Sequence, residues 1–136
     1  MERNKPGVAG VIVRNDNRVL MCQRSMESTL PGIWSIPSGH IEKNENSKFA
    51  AVREFFEETN IRLSPEVLQF VSVVPIENNP DKPFYIYLYD TDDELMPDLE
   101  GAKDGHEHTR CRYVRKGNIP TTTSSMENIL NKVILK

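Results

Sequence analysis

Glu54, Glu57 and Glu58 crowd into a short stretch of the segment GHIEKNENSKFAAVREFFEETNI, residues 39–61. On a helix, positions three and four apart are neighbours, so the three carboxylates would project toward one side of one turn. Two such charges 4 Å apart repel by roughly 4 kcal/mol at an effective dielectric near 20. Two arrangements relieve that repulsion. One is a solvated helix face; the other is a hard divalent cation such as Mg²⁺, which takes oxygen ligands and shares itself with phosphates. Glu45, six residues after Gly39, and Arg53, directly before the cluster, are company that a merely solvated face does not need.

Gly39, five residues, Glu45, seven residues and then Arg53-Glu54-Phe55-Phe56-Glu57-Glu58 resembles the Nudix box of the MutT-like Nudix hydrolase superfamily. Six fixed residues would coincide by chance on the order of once in 10⁷–10⁸ windows. The chain departs from the pattern at Asn60, where the family has Gly. That position would be the left-handed residue ending the helix, where Asn is the next most tolerant choice.

The resemblance covers essentially the whole chain. It implies one domain over residues 1–136, of α+β class: a Nudix-type α/β/α sandwich with a central mixed β-sheet. It implies hydrolysis of a diphosphate linkage in a nucleoside triphosphate or another nucleoside-diphosphate-linked compound. Glu54, Glu57 and Glu58 then resemble the metal-binding carboxylates, joined by the Gly39 carbonyl, with Mg²⁺ as the ion and Mn²⁺ as a substitute. Glu45 and Arg53 resemble the internal ion pair of the box, a structural role that bidentate geometry would suit. Glu107 stands six residues before Tyr113, as does an acid that reaches back to the metals in the nucleotide-sanitising branch. His106 and His108 flank it and are alternative bases. Glu54 is the first choice for activating water and Glu107 the second; Glu57 completes the catalytic set.

Substrate contacts are less sharply marked. Arg24 resembles an arginine that touches phosphates in relatives, although a strand-end Arg is also an ordinary surface charge. Trp34 could cover a base or belong to the core. Thr123 falls where the enzyme that destroys oxidised guanine triphosphates has a base-reading Asn, and a hydroxyl cannot reproduce bidentate amide recognition. Pro75 lies near the position of a proline associated with ADP-ribose hydrolases. The alternatives are therefore an ADP-ribose or nucleotide-sugar pyrophosphatase, a non-catalytic nucleotide-binding sensor that would be expected to have lost box carboxylates, and an isoprenoid-diphosphate isomerase, for which Cys22 is not placed by any motif.

Composition bounds the rest. A chain of 136 residues can bury a core without staples, and 38% hydrophobic with 27% charged residues is ordinary for a globular protein. The formal charge of −3 and the lack of a basic block argue against a nucleic-acid polymer and fit a small anionic substrate. Cys22 and Cys111 lack metal-type spacing and read as reduced thiols. The start, MERNKPG, has no apolar leader and no run is long enough to span a bilayer, so a cytoplasmic setting without membrane contact is the expectation.

The elements that must position these residues follow from periodicity. Residues 8–14 and 18–24 read as a hairpin turning at Asn15-Asp16-Asn17. Ser25 to Gly32 is a loop, and residues 34–37 are a short extended piece. A helix capped by Asn46 or Ser47 would carry Ala51, Val52, Phe55 and Phe56 on its apolar stripe and Arg53, Glu54, Glu57 and Glu58 on the remaining arc. A strand over about 67–76 precedes a turn at Pro80, Asp81 and Pro83. Residues 84–89 alternate: Phe84, Ile86 and Leu88 on one face, Tyr85, Tyr87 and Tyr89 on the other, so both faces of the sheet should be covered. The tyrosine face reads as packing on the terminal helix, with nucleobase stacking as the alternative. Residues 90–106 form a long acidic loop. Residues 111–114 read as a last strand, and Met126, Ile129, Leu130, Val133 and Ile134 mark an amphipathic closing helix.

Overall fold

A computed structural model describes residues 7–28, 30–76 and 79–134. The hairpin forms as the turn residues require. Strands β1 (Val8–Asn15) and β2 (Arg18–Arg24) pair antiparallel, and Asp16 and Asn17 are both left-handed, with φ of 51° and 58°. Two left-handed residues give a turn whose twist matches that of the strands, and Asp and Asn tolerate it. Two short strands follow, β3 (Trp34–Ser35) and β4 (Ser38–His40), then helix α1 (Ser47–Thr59). Strands β5 (Gln69–Ile76), β6 (Asn79–Asp90) and β7 (His108–Val114) and helix α2 (Ser124–Val133) complete the order.

The sheet runs β3-β2-β1-β6-β5, with β4 beside β1 and β7 beside β2. Among the described residues only β1 and β6 pair parallel, Val8 to Arg14 against Phe84 to Asp90, so the sheet is mixed. Alternation along these strands sends one set of side chains to each helix. Ala9, Val11, Val13, Leu20 and Tyr87 pack on Ala50, Ala51 and Phe55 of α1. Ile12, Val19, Met21, Ile86 and Leu88 pack on Met126, Ile129, Leu130 and Val133 of α2. This is an α/β/α sandwich, as the sequence implies.

Four expectations need correction. The tyrosine face lies against α1, and it is the Phe84-Ile86-Leu88 face that meets α2. On α1, Val52 and Phe56 are only half-buried, whereas Ala50, Glu58 and Thr59 are buried. Pro80, Asp81 and Pro83 do not turn the chain; they belong to β6, which pairs with β5 as far as Asn79. Those prolines precede Phe84, the first β6 residue in register with β1, so their missing N–H groups break no ladder on that side. Residues 77–78 lie outside the described residues. Finally, Cys22 and Cys111 are not free thiols: they face one another across β2 and β7, Cα atoms 4.0 Å apart, and form a disulfide. Residues 89 apart in sequence meet through strand register alone, which spacing could not reveal.

The caps agree with the sequence. Asn46 Oδ1 accepts from the Phe49 N–H at 2.9 Å, and Asn60 ends α1 in the left-handed region at φ 64°. Arg14 closes the far end of the fold. Its guanidinium donates to both oxygens of Asp90 at 3.0 Å and to the Val133 carbonyl at 2.8 Å, joining β1, β6 and the last turn of α2. The hydrogen bonds from Arg14 hold the Asp90 carboxyl below its ordinary range. A carboxylate with a lowered folded pKa adds stability above its unfolded pKa and loses it as pH falls. Asp90→Asn should therefore cost about 0.5–1 kcal/mol at pH 7, as expected for a solvent-screened pair, and progressively less as pH falls below the ordinary Asp value through the lowered folded one. Urea denaturation of both proteins across that range checks it; a pH-independent difference would contradict it.

Candidate active site

Helix α1 places its acids in a graded series of environments. Arg53 organises the outer part. Its Nε and Nη2 donate to Glu45 Oε2 and Oε1 at 2.8 and 2.9 Å, the bidentate fork foreseen for this pair. Nη2 also donates to the His40 carbonyl at 3.0 Å, which ties the β4 end to the helix. Nη1 reaches Glu54 Oε2 at 3.0 Å and Glu57 Oε1 at 3.2 Å. These contacts raise the Arg53 pKa further above its ordinary value and lower that of Glu45, in each case chiefly through the hydrogen bonds between them.

Glu54 lies inward of this fork, against Gly39: a β-carbon at position 39 would overlap the Glu54 carboxylate. Burial, then the nearby Glu58 charge, pushes the Glu54 carboxyl up to about 7. Glu58 is deeper still, 2% exposed. Its Oε1 accepts from the Ser38 N–H at 3.0 Å and lies 3.0 Å from His108 Nε2. Burial first and the Glu107 charge second raise Glu58 well above the ordinary carboxylate range, while burial lowers His108 to about 4. Glu58 Oε1 and His108 Nε2 are within hydrogen-bond distance, and burial disfavours the charged form of each.

Glu107 reaches this group from the loop after β6. That loop is strapped to the C-terminal end of α1: the Asp98 N–H donates to the Thr59 carbonyl and the Asp104 N–H to the Glu57 carbonyl, at 2.9 and 2.7 Å. A 3₁₀ turn over Gly105–Glu107 follows, and the Glu107 carbonyl accepts from the Ser25 N–H at 2.9 Å. Glu107 and Arg24 then stand beside Glu58, one raising and the other lowering its pKa.

Next to these groups lies a cavity of about 410 Å³. Gly39, Arg24 and Glu107 are among its polar lining and Ile33, Phe84 and Met126 among its apolar walls, whereas Glu54, Glu57 and Glu58 do not line it. Such a combination of apolar walls with a few convergent polar groups is what small-ligand sites share.

The sequence matches the NUDIX domain family over residues 3–132. The chain belongs to the Nudix family. Among curated relatives, it is 28% identical over 101 residues to CTP pyrophosphohydrolase of Escherichia coli, covering 74% of this chain and 69% of that one. Other relatives are matched over less of their length, 37% of Nudix hydrolase 25 of Arabidopsis thaliana for example, at 39% identity over 52% of this chain. Among solved structures, E. coli dihydroneopterin triphosphate pyrophosphohydrolase superposes with a TM-score of 0.75, 19% identity and 99% coverage of both chains. At that identity the likeness speaks for the fold alone.

The residues of this Nudix site suit a divalent ion in donor chemistry: an all-carboxylate set beside a backbone carbonyl, with Glu54 and Glu58 both raised by burial and by neighbouring carboxylates. As arranged, no three Asp, Glu, His or Cys side chains among the described residues converge as a ready-made cation site. Arg53 Nη1 bridges Glu54 and Glu57 at the outer end, so an ion there would compete with the guanidinium for both carboxylates.

The structure brings Gly39, Glu54, Glu57, Glu58, Glu107 and Arg24 to one region, but not Trp34. Trp34 is 6% exposed in the core on the α2 side, with Arg110 and Arg112 over its ring. It is a core residue and does not cover a base. Thr123 does line the cavity, yet its hydroxyl is the N-cap of α2 and accepts from the Met126 N–H at 3.3 Å. His106 is exposed on the 3₁₀ turn. Residue types alone gave no sign of the Ser38 N–H donor or the apolar walls at Ile33, Phe84 and Met126, because these depend on which strands converge.

Gly39→Ala tests the close approach of the β4 end to Glu54. The β-carbon should displace the carboxylate and lower turnover about 10²-fold, the scale expected for a misplacement near 1 Å, while the thermal midpoint changes little. Unchanged kcat/KM would contradict the packing of Glu54 on Gly39.

Proposed function

We propose that the protein is a Mg²⁺-dependent pyrophosphohydrolase whose leading substrate class is a nucleoside triphosphate. The observation that carries this reading is a cavity lined by Gly39, Arg24 and Glu107 together with Ile33, Phe84 and Met126, next to the helix acids: Glu54 packs on Gly39, and Glu107 stands beside Glu58. The E. coli relative is named for CTP, which supports a triphosphate in that cavity. Pro75 lines the same cavity, which favours an ADP-ribose or nucleotide-sugar pyrophosphatase as the second reading. A non-catalytic sensor is disfavoured because Glu54, Glu57 and Glu58 are all retained.

Glu54, Glu57, Glu58, Glu107 and the Gly39 carbonyl would hold magnesium, or manganese in its place. The bound ion would neutralise phosphate charge and acidify the attacking water. Arg24 supplies a fixed positive charge beside the phosphates. Glu54, and after it Glu107, takes the proton as water attacks phosphorus and the bridging P–O bond breaks. Arg53 and Glu45 hold the helix and the β4 end in register and do not touch substrate. Ile33, Phe84 and Met126 shelter the base.

The test is an assay with Mg²⁺ over dNTPs, oxidised dNTPs, ADP-ribose, NADH, dinucleoside polyphosphates, nucleotide sugars and 5′-triphosphate RNA. Nucleoside triphosphates should be turned over best. For the preferred substrate, Glu57→Gln should lower kcat by orders of magnitude with an unchanged circular dichroism spectrum. Full turnover in that variant would remove Glu57 from the ligand set, and hydrolysis of ADP-ribose alone would favour the second reading.

A further inference from the structure

His108 stands on the wrong face of β7 for simple alternation. Val114 packs on the α2 side, and Arg112 and Arg110 follow it there over Trp34. Counting back by two, residue 108 should point the same way. Instead the register slips: Gln23 pairs with Arg110, but Arg24 pairs with His108, so Thr109 is an extra residue. A β-bulge of this kind re-aims the side chain beyond it. Here it turns His108 to the α1 side, where Leu20 lies and where Arg24 falls by alternation along β2. The imidazole arrives 3.0 Å from Glu58.

We propose that His108 is a positioning residue that holds Glu58 as a metal ligand by donating its Nε2–H to Oε1. The inference rests on the metal-site reading above. Glu58, when it binds a cation, is an acceptor only, so the proton of this contact must sit on Nε2. Ser38 N–H donates to the same oxygen, and the Glu58 carboxyl is also in side-chain hydrogen-bond contact with Glu107. Two donors from β4 and β7 then fix a carboxylate that α1 alone would leave free to rotate. His108 Nδ1 is buried and has no hydrogen-bond partner among the described residues. A buried acceptor left unmet is destabilising, so an apolar side chain would serve stability better. What His108 provides in exchange is the contact with Glu58. His108, an alternative base on sequence grounds, is buried in this structure.

The test compares His108→Leu, His108→Asn and His108→Gln with the wild type. A Gln amide can reach the position of Nε2, whereas Asn reaches only that of Nδ1. Mn²⁺ affinity, read by electron paramagnetic resonance in the absence of substrate, should fall by about 10- to 100-fold in the Leu and Asn variants and return to within a few-fold in Gln. Thermal midpoints should not follow that order. In the Mg²⁺-loaded wild type, ¹⁵N shifts of the His108 ring should show a protonated Nε2 and an unprotonated Nδ1, a readout that needs no variant to fold. Wild-type Mn²⁺ affinity in all three variants, affinity that merely tracks thermal stability, or the Nδ1–H tautomer would each overturn the proposal. Wild-type protein that binds no Mn²⁺ would instead overturn the metal-site reading, and this proposal with it.

Discussion

The fold draws four carboxylates, Glu54, Glu57, Glu58 and Glu107, to one edge of the sheet and buries Glu58 almost completely. Each is like-charged with its neighbours, and water screens the inner members poorly. The scaffold meets this repulsion in part. Arg53 is spread over Glu45, Glu54 and Glu57, Ser38 and His108 serve Glu58, and Arg24 stands beyond. Burial first, and the neighbouring carboxylate charges after it, raise Glu54 to about 7 and Glu58 well above its ordinary range. A divalent cation at this group would offset both costs.

That constraint explains details of the frame around it. Gly39 is needed because the Glu54 carboxylate occupies the space of a side chain. The acidic loop after β6 is long, but it is not loose where it matters: Asp98 and Asp104 satisfy carbonyls in the last turn of α1, and the 3₁₀ turn then delivers Glu107. The bulge at Thr109 and the pairing of Arg24 with His108 bring β2 and β7 to the same point. The site is assembled from one helix, three strand ends and one strapped loop.

Much of this was legible in the residues. Period-two alternation at 84–89 gave a sheet covered on both faces, and the 3.6-residue repeat at 126–134 gave α2. Box spacing gave the Glu45–Arg53 fork. Where reading failed, a physical reason can be named. Glu58 was assigned to the polar arc by its charge, although Ala51, Phe55 and Glu58 are four and three apart and share the buried stripe. Period outweighed polarity there because the site needs a carboxylate inside. The disulfide, the bulge and the core position of Trp34 all depend on strand register between segments far apart in sequence, which local pattern does not carry.

The most direct measurement is an anomalous difference map from crystals soaked with Mn²⁺ and a non-hydrolysable nucleoside triphosphate. The account predicts a manganese peak bounded by the Gly39 carbonyl, Glu54, Glu57 and Glu58, with Arg53 withdrawn to Glu45 and phosphate density facing Arg24. Phosphate density in the cavity with no peak at that turn, or manganese held elsewhere with Arg53 still bridging Glu54 and Glu57, would contradict it.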